Sequence, residues 1–156
     1  MKVKCKQWEQ RVPGKLEEVW SFFSRPENLD RLTPPDMPFE IISDIKGQDM
    51  YPGMIVRYRV SPIWGIRMDW TTEITSIEEG RYFIDNQRSG PYELWHHQHH
   101  FIPDGDHTLM KDILHYKIGY GPLGTLIDTL FVDGRVEEIF SFRKKKVREL
   151  FGNEKD

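Results

Sequence analysis

The stretch that decides the fold reads Gly90-Pro91-Tyr92-Glu93-Leu94-Trp95-His96-His97-Gln98-His99-His100-Phe101. Gly-Pro opens it as a turn, and a run of alternating aromatic and polar residues follows. Successive side chains of a strand point to opposite faces, so Trp95, His97, His99 and Phe101 share one face. Leu94, His96, Gln98 and His100 share the other. Trp95 and Phe101 are the largest apolar residues here, so their face turns inward and carries two imidazoles with it. Histidines between aromatics on a covered face point to a partly polar cavity.

The next strand fixes what those imidazoles meet. Asp104-Gly105-Asp106 is a hairpin signal leading into residues 108–118, where Met110, Leu114, Tyr116 and Ile118 form the apolar face. A four-residue loop over 104–107 brings both apolar faces to one side of the sheet. It sets Phe101 opposite Met110 and Trp95 opposite Tyr116. The same register puts His99 opposite Asp112 and His97 opposite Leu114. Directly opposed Cβ atoms lie about 4.5–5.5 Å apart, so a His99–Asp112 contact is expected. A carboxylate beside an imidazole fixes its tautomer and favours its charged form.

Working outward toward the N-terminus, strand follows strand. Residues 81–88 precede Ser89-Gly90-Pro91, and Glu79-Gly80 separates them from 67–78, where Met68, Trp70, Thr72 and Ile74 share a face. Before an interruption at 61–65, Met54, Val56, Tyr58 and Val60 alternate with polar neighbours, and residues 39–45 form another strand. These strands, joined by short loops, read as an antiparallel meander, and residues 3–10 add a first strand ended by Pro13-Gly14. Between them, residues 15–24 carry Leu16, Val19, Trp20 and Phe23 at helical spacing. Ser24-Arg25-Pro26 reads as the start of a second short helix with Ser24 as N-cap. Thr33-Pro34-Pro35 stops it.

After the glycine-rich turn at 119–122, residues 123–151 read as one long amphipathic helix. Leu123, Ile127, Leu130, Val136, Ile139, Phe140, Val147 and Leu150 form its stripe. Gly134 within it favours a kink or break. A strongly curved antiparallel sheet needs one face covered, and only this helix is long enough to cover it. The expected fold class is therefore α+β: a curved sheet of about seven strands wrapped around a long C-terminal helix, with two short helices after the first strand. Residues 1–156 are expected to form a single domain.

Composition narrows the function classes. A chain of 156 residues with 13% aromatic content can bury a substantial core. The net charge of -3 creates no field that would gather nucleic acid or an acidic membrane. The lone Cys5 forms no intrachain disulfide, which fits a reducing compartment. The charged start, Met1 to Gln7, offers no signal-peptide core. No apolar run approaches the roughly 20 residues of a spanning helix. The expectation is a soluble, cytoplasmic protein with no nucleic-acid partner and no stable membrane insertion; self-association as a homodimer stays open.

Three readings of the histidine strand compete. His99 and Asp112 satisfy each other in a core, or they polarise the floor of a ligand cavity with apolar walls. Alternatively His97, His99 and Asp112 hold a metal. No third histidine shares that face, and outward His96 and His100 lie roughly 13 Å apart along a strand, too far to share an ion; no metal and no cofactor is expected. Gly119-Tyr120-Gly121-Pro122-Leu123-Gly124 matches a dinucleotide-binding pattern in letters. That mechanism needs a following parallel strand with an acidic residue, and none follows. The basic run Arg143-Lys144-Lys145-Lys146 with Arg148 reads as a solvated helix face. Trp64 and Trp70 are candidates for a cavity wall.

Several segments resemble the START/Bet v 1-like (SRPBCC) superfamily. Val12-Pro13 followed by Glu18-Val19-Trp20-Ser21-Phe22 resembles the opening of its bacterial members, as does Glu27-Asn28-Leu29 leading to Leu32-Thr33-Pro34. The most specific match runs from Phe83-x-Asp85-x-Gln87 through Gly90-Pro91-Tyr92 to Trp95-x-His97-x-His99-x-Phe101. Gly121-Pro122-Leu123-Gly124 before the last helix also fits. The resemblance spans nearly the whole chain and implies a helix-grip fold. It also implies a cavity between sheet and helix that takes a hydrophobic or amphipathic small molecule, lipid-like or polyketide-like. No motif selects the polyketide cyclase/dehydratase branch, so that activity stands as the alternative, with His99 and Asp112 as candidate catalytic residues. The expected ligand-binding residues are Tyr58, Trp70, Gln87, Trp95, His97, His99, Asp112 and Tyr116. Placing Asp85 and Gln87 beside Trp95 requires an odd-length loop or a bulge at Gly90-Pro91.

Overall fold

A computed structural model of the chain describes residues 2–61, 66–119, 121 and 126–152. Trp64, most of the glycine-rich turn and the expected helix start at Leu123 lie outside these residues. Seven strands form one antiparallel sheet: β1 (Lys4–Pro13), β2 (Phe39–Ile41), β3 (Met54–Val60), β4 (Met68–Glu78), β5 (Tyr82–Ser89), β6 (Leu94–Asp104) and β7 (His107–Lys117). Their spatial order is β1-β7-β6-β5-β4-β3-β2, so the meander from β2 to β7 is continuous and β1 closes against its last strand. Bulges between β4 and β5, at Thr71/Thr72 and Ile74/Ser76, add the local twist and bend that let the sheet curve.

Alternation is strict where it matters. Along β7, Thr108, Met110, Asp112, Leu114 and Tyr116 are all buried while their neighbours are half-exposed. Along β3, Met54, Val56, Tyr58 and Val60 face the core. The β6–β7 register pairs Phe101 with Met110, Trp95 with Tyr116, His99 with Asp112 and His97 with Leu114, as the sequence predicts. The ladder runs further than expected, however: Asp104 pairs with His107, and Gly105, at φ 64°, takes the left-handed conformation this tight turn needs.

Helix α1 (Leu16–Phe23) buries Val19, Trp20 and Phe23. A 3-10 helix (Pro26–Leu32) follows, with Arg25 rather than Ser24 at its N-cap. Ser24 instead ends α1, its backbone N–H donating to Trp20 O. Pro26 starts the 3-10 turn because its fixed φ suits a first position that needs no donor.

The C-terminal helix departs from the expected single run. A π-helical turn (Asp128–Val132) leads into α2 (Asp133–Phe151). The irregularity thus falls immediately before Gly134 rather than at it. Leu130, expected on the buried stripe, is 61% exposed, whereas Val132, Val136, Phe140 and Val147 are buried. Leu130 lies six residues from Val136, about 120° round an ideal helix, which takes it off the stripe. Below α2, Phe140 stacks on Trp8 of β1 at 3.7 Å between ring centroids and 2° between planes. No helix among the described residues is long and apolar enough to cross a membrane.

Candidate functional site

Between the concave sheet, the 3-10 helix and α2 lies a cavity of about 170 Å³. Its wall is aromatic and aliphatic: Tyr58 and Val60 of β3, Trp70 and Ile74 of β4, Phe83 of β5, Tyr92 and Trp95 at the start of β6, and Phe140 of α2. Trp70 organises one side, with Trp95 edge-on at 5.2 Å, Tyr92 at 5.4 Å and Tyr58 at 5.8 Å between centroids. Tyr58 is anchored by a 2.8 Å hydrogen bond between its hydroxyl and that of Thr72. Burial, with the nearby Asp85 charge, pushes the Tyr58 phenol above its usual range despite that bond, so it stays neutral.

At the floor the wall becomes polar. His97 and His99 of β6 and Asp85 of β5 line the cavity together with Arg143 of α2. Asp112 of β7 lies behind them. The two imidazoles and Asp112 are buried, at 5%, 6% and 7% exposure, and Arg143 at 9%. Asp112 Oδ1 collects three partners: His97 Nε2 at 3.0 Å, His99 Nδ1 at 3.1 Å and Arg143 Nη1 at 3.5 Å. Asp85 Oδ2 faces His99 Nε2 at 2.8 Å and His97 Nδ1 at 3.7 Å. The His97 and His99 rings lie 3.7 Å apart between centroids. His99 also stacks on Phe83 at 4.1 Å. The Arg143 guanidinium sits over the Phe23 and Phe140 rings, at 5.4 and 5.9 Å, a placement that partly offsets desolvation.

These contacts set the charge states. Burial pushes the His97 imidazole down to about 4, with neighbouring His99 adding to it and the two carboxylates opposing, so His97 is neutral at pH 7. For Asp112, burial opposes ionisation, yet the Arg143 charge and the hydrogen bonds from both imidazoles hold the carboxyl well below its usual range. The same balance, led by burial and overcome by His99, His97 and Arg143, lowers Asp85. Both carboxylates are therefore anions inside the fold. Two further atoms are unusual: Trp70 Nε1 and Arg143 Nε are buried donors with no acceptor among the described residues.

Of the residues expected from sequence, Tyr58, Trp70, Trp95, His97 and His99 line the cavity. Gln87, Asp112 and Tyr116 do not. Gln87 uses its amide to close the β5–β6 connection, donating to Tyr92 O at 2.6 Å and accepting from Tyr92 N at 3.3 Å. Tyr116 is fully buried with its hydroxyl donating to Asp133 Oδ1 at 2.7 Å, which ties β7 to the first turn of α2. The expected His99–Asp112 contact is present, and Asp112 holds His97 as well.

Sequence reading missed Arg143 and left Asp85 conditional on a loop length. The signal for Arg143 was present: Val136, Phe140, Arg143 and Val147 follow one another at helical steps of four, three and four. The basic run disguised the stripe, because only its first member faces inward. Asp85 pairs with His97 across β5 and β6, so the connection at Gly90-Pro91 has the parity that puts both on the inner face.

No protein-family model and no curated protein matches the chain. Solved structures match over nearly its full length. A START superfamily protein from Mycobacterium smegmatis aligns at TM-score 0.66 and 16% identity, covering 94% of this chain and 98% of that one. A major latex-like protein from Panax ginseng aligns at 0.65 and 14%, covering 96% and 97%. A norcoclaurine synthase point mutant from Thalictrum flavum, solved with a transition-state analogue, aligns at 0.64 and 18%, covering 96% of each chain. At such identities the likeness is one of architecture: the chain has the helix-grip fold of START/Bet v 1-like proteins.

Proposed function

We propose that this protein binds a compact, hydrophobic or amphipathic small molecule in the cavity between sheet and α2. The observation that carries the reading is the wall itself: a largely aromatic and aliphatic surface left unfilled by the protein's own side chains, beside buried donors that have no acceptor among the described residues. An unpaired buried N–H costs about 1–3 kcal/mol. A ligand oxygen or nitrogen that accepts from Trp70 Nε1 or Arg143 Nε removes that penalty on binding. Size favours a small ring system over an extended acyl chain, since a cavity of about 150 Å³ accommodates benzene and this one is about 170 Å³. Tyr58, Trp70 and Trp95 supply apolar contact, while His97 and His99 form the polar end, held in place by Asp112 behind them.

A second reading uses the same cavity for catalysis, and one feature favours it. His97 is neutral, faces the cavity and is oriented by Asp112 at 3.0 Å, which is the arrangement a general base needs. The fold neighbour named as a norcoclaurine synthase is an enzyme. Cyclisation or dehydration of a polyketide-like substrate is the reaction class in question.

Native mass spectrometry of the protein purified from its own cells tests the binding reading. A co-purifying compact organic molecule, lost when Trp70→Ala and Trp95→Ala are combined, is the expected result. A bound mass that persists in the double variant would place the ligand elsewhere and overturn the assignment.

A further inference from the structure

The cavity floor sets two imidazoles between two carboxylates. One nitrogen of each imidazole is held by the same oxygen, Asp112 Oδ1, at 3.0 and 3.1 Å. His97 Nε2–H donates to Asp112 Oδ1 at 3.0 Å, while His99 Nε2–H donates to Asp85 Oδ2 at 2.8 Å and Arg143 Nη2 donates to His99 Nδ1 at 3.3 Å. An ion that replaces the His99 Nε2 proton would meet lone pairs on both opposite edges, His97 Nδ1 and His99 Nε2, and leave His99 Nδ1–H to donate to Asp112. Both edges converge on a carboxylate oxygen, Asp85 Oδ2, at 3.7 and 2.8 Å. The three atoms lie within 4.8 Å of one another.

The buried guanidinium beside these groups is that of Arg143. It lies on the Asp112 side, with Nη1 3.5 Å from Asp112 Oδ1 and Nη2 3.3 Å from His99 Nδ1. Among the described residues, the ion-pair partners of Asp85 are the two imidazoles alone.

The geometry points to a binding site for one divalent transition-metal ion of the zinc class, ligated by Asp85 Oδ2, His97 Nδ1 and His99 Nε2. Two imidazoles and a carboxylate suit zinc, cobalt or ferrous iron rather than calcium or magnesium. Metal–ligand bonds of about 2.0–2.2 Å set tetrahedral neighbours roughly 3.4 Å apart. The Asp85–His99 pair opens from 2.8 Å and the Asp85–His97 pair closes from 3.7 Å. Small side-chain rotations accomplish both. Asp112 acts as the outer carboxylate that fixes tautomer and ring orientation for both ligands. The sequence singled out Asp112 as a possible third ligand; its position behind the rings gives that role to Asp85. All three ligands line the cavity, so the ion would offer an open coordination position to the molecule bound above it.

The test uses the full chain, stripped with chelator and titrated with cobalt(II) chloride alone. One equivalent should produce the visible absorption of a four- or five-coordinate ion, and zinc should abolish it by displacement. Asp85→Asn should weaken binding more than 100-fold. Asp112→Asn should keep the stoichiometry and weaken binding by about 10–100-fold. His115→Ala, which removes an imidazole on the outer face of β7 near His96 (ring centroids 6.0 Å apart), should change nothing. A readout that needs no variant comes from ¹⁵N-labelled histidine: zinc should move His97 Nδ1 and His99 Nε2 and leave His96, His100, His107 and His115 unmoved. No cobalt spectrum with excess metal would overturn the proposal and leave a proton as the cation on that edge. Full-strength binding in Asp85→Asn, or loss in His115→Ala, would overturn it equally.

Discussion

Replacing Asp112 by Asn changes no volume and removes one buried charge, which makes it the sharpest perturbation of the cavity floor. In the native fold Arg143 is buried, its Nε has no acceptor among the described residues, and Asp112 Oδ1 at 3.5 Å is its carboxylate partner. Asp112→Asn strands the guanidinium, and breaking a buried ion pair from one side costs about 3–5 kcal/mol. Folding free energies of domains are about 5–15 kcal/mol, so the variant gives up a large fraction of the total. At about 2–4 °C per kcal/mol for a chain of this size, the melting temperature should fall by roughly 6–20 °C. Arg143→Met alone should cost less, about 1–3 kcal/mol, because Asp112 keeps the His97 donor at 3.0 Å. The double variant should therefore recover part of the Asp112→Asn loss, with a coupling of about 1–3 kcal/mol. Urea unfolding of all four proteins in chelator, with constant m, measures this cycle. A loss below about 1 kcal/mol for Asp112→Asn, or strict additivity in the double variant, would refute the buried pair.

Three other perturbations give independent checks. Tyr58→Phe leaves the buried Thr72 hydroxyl without its 2.8 Å partner and should cost about 1–2 kcal/mol in urea unfolding. Phe140→Ala removes the ring stacked on Trp8 and one wall of the cavity; it should cost about 3–5 kcal/mol and raise the dye fluorescence that reports exposed apolar surface. Asp133 gives a pH signature. Burial opposes its ionisation, but Lys6, Tyr116 and Lys4 lower its carboxyl to about 2, below the ordinary aspartate value of 3.8. A depressed carboxyl stabilises the fold above its unfolded value and loses that contribution as pH falls through its folded value. With Asp133 37% exposed, screening leaves about 1 kcal/mol. Thermal melts of Asp133→Asn should be less stable than wild type at pH 5 and should converge with it near pH 2.

The β6–β7 hairpin was legible because period-2 alternation and two large apolar pairs, Phe101 with Met110 and Trp95 with Tyr116, admit one register. That register alone yields the His99–Asp112 contact. The second contact, from His97 to the same oxygen, depends on side-chain reach across a diagonal, which sequence spacing does not convey. Asp85 was hidden behind a parity question: one residue more or less at Gly90-Pro91 would turn it outward. Arg143 lay on the apolar stripe in plain sight, but three lysines following it suggested solvent. The C-terminal helix shows the opposite failure. Leu130 follows Ile127 at a helical step of three, but it lies six residues from Val136, about 120° round an ideal helix, and it is exposed. The cavity's existence, finally, is a matter of unfilled volume, and hydrophobic pattern carries no information on how completely side chains fill the space they face.

A small apolar molecule with one acceptor, entering this cavity, would satisfy donors that have no partner among the described residues. A pair of probes of nearly equal shape tests it: acetophenone, which carries an acceptor oxygen, and ethylbenzene, which does not. Both should bind ¹⁵N-labelled protein, acetophenone about 10-fold tighter or more, with the Trp70 indole N–H resonance moving on its addition. In Trp70→Phe that advantage should shrink. Equal affinity for the two probes, with the Trp70 resonance unmoved by either, would contradict the account.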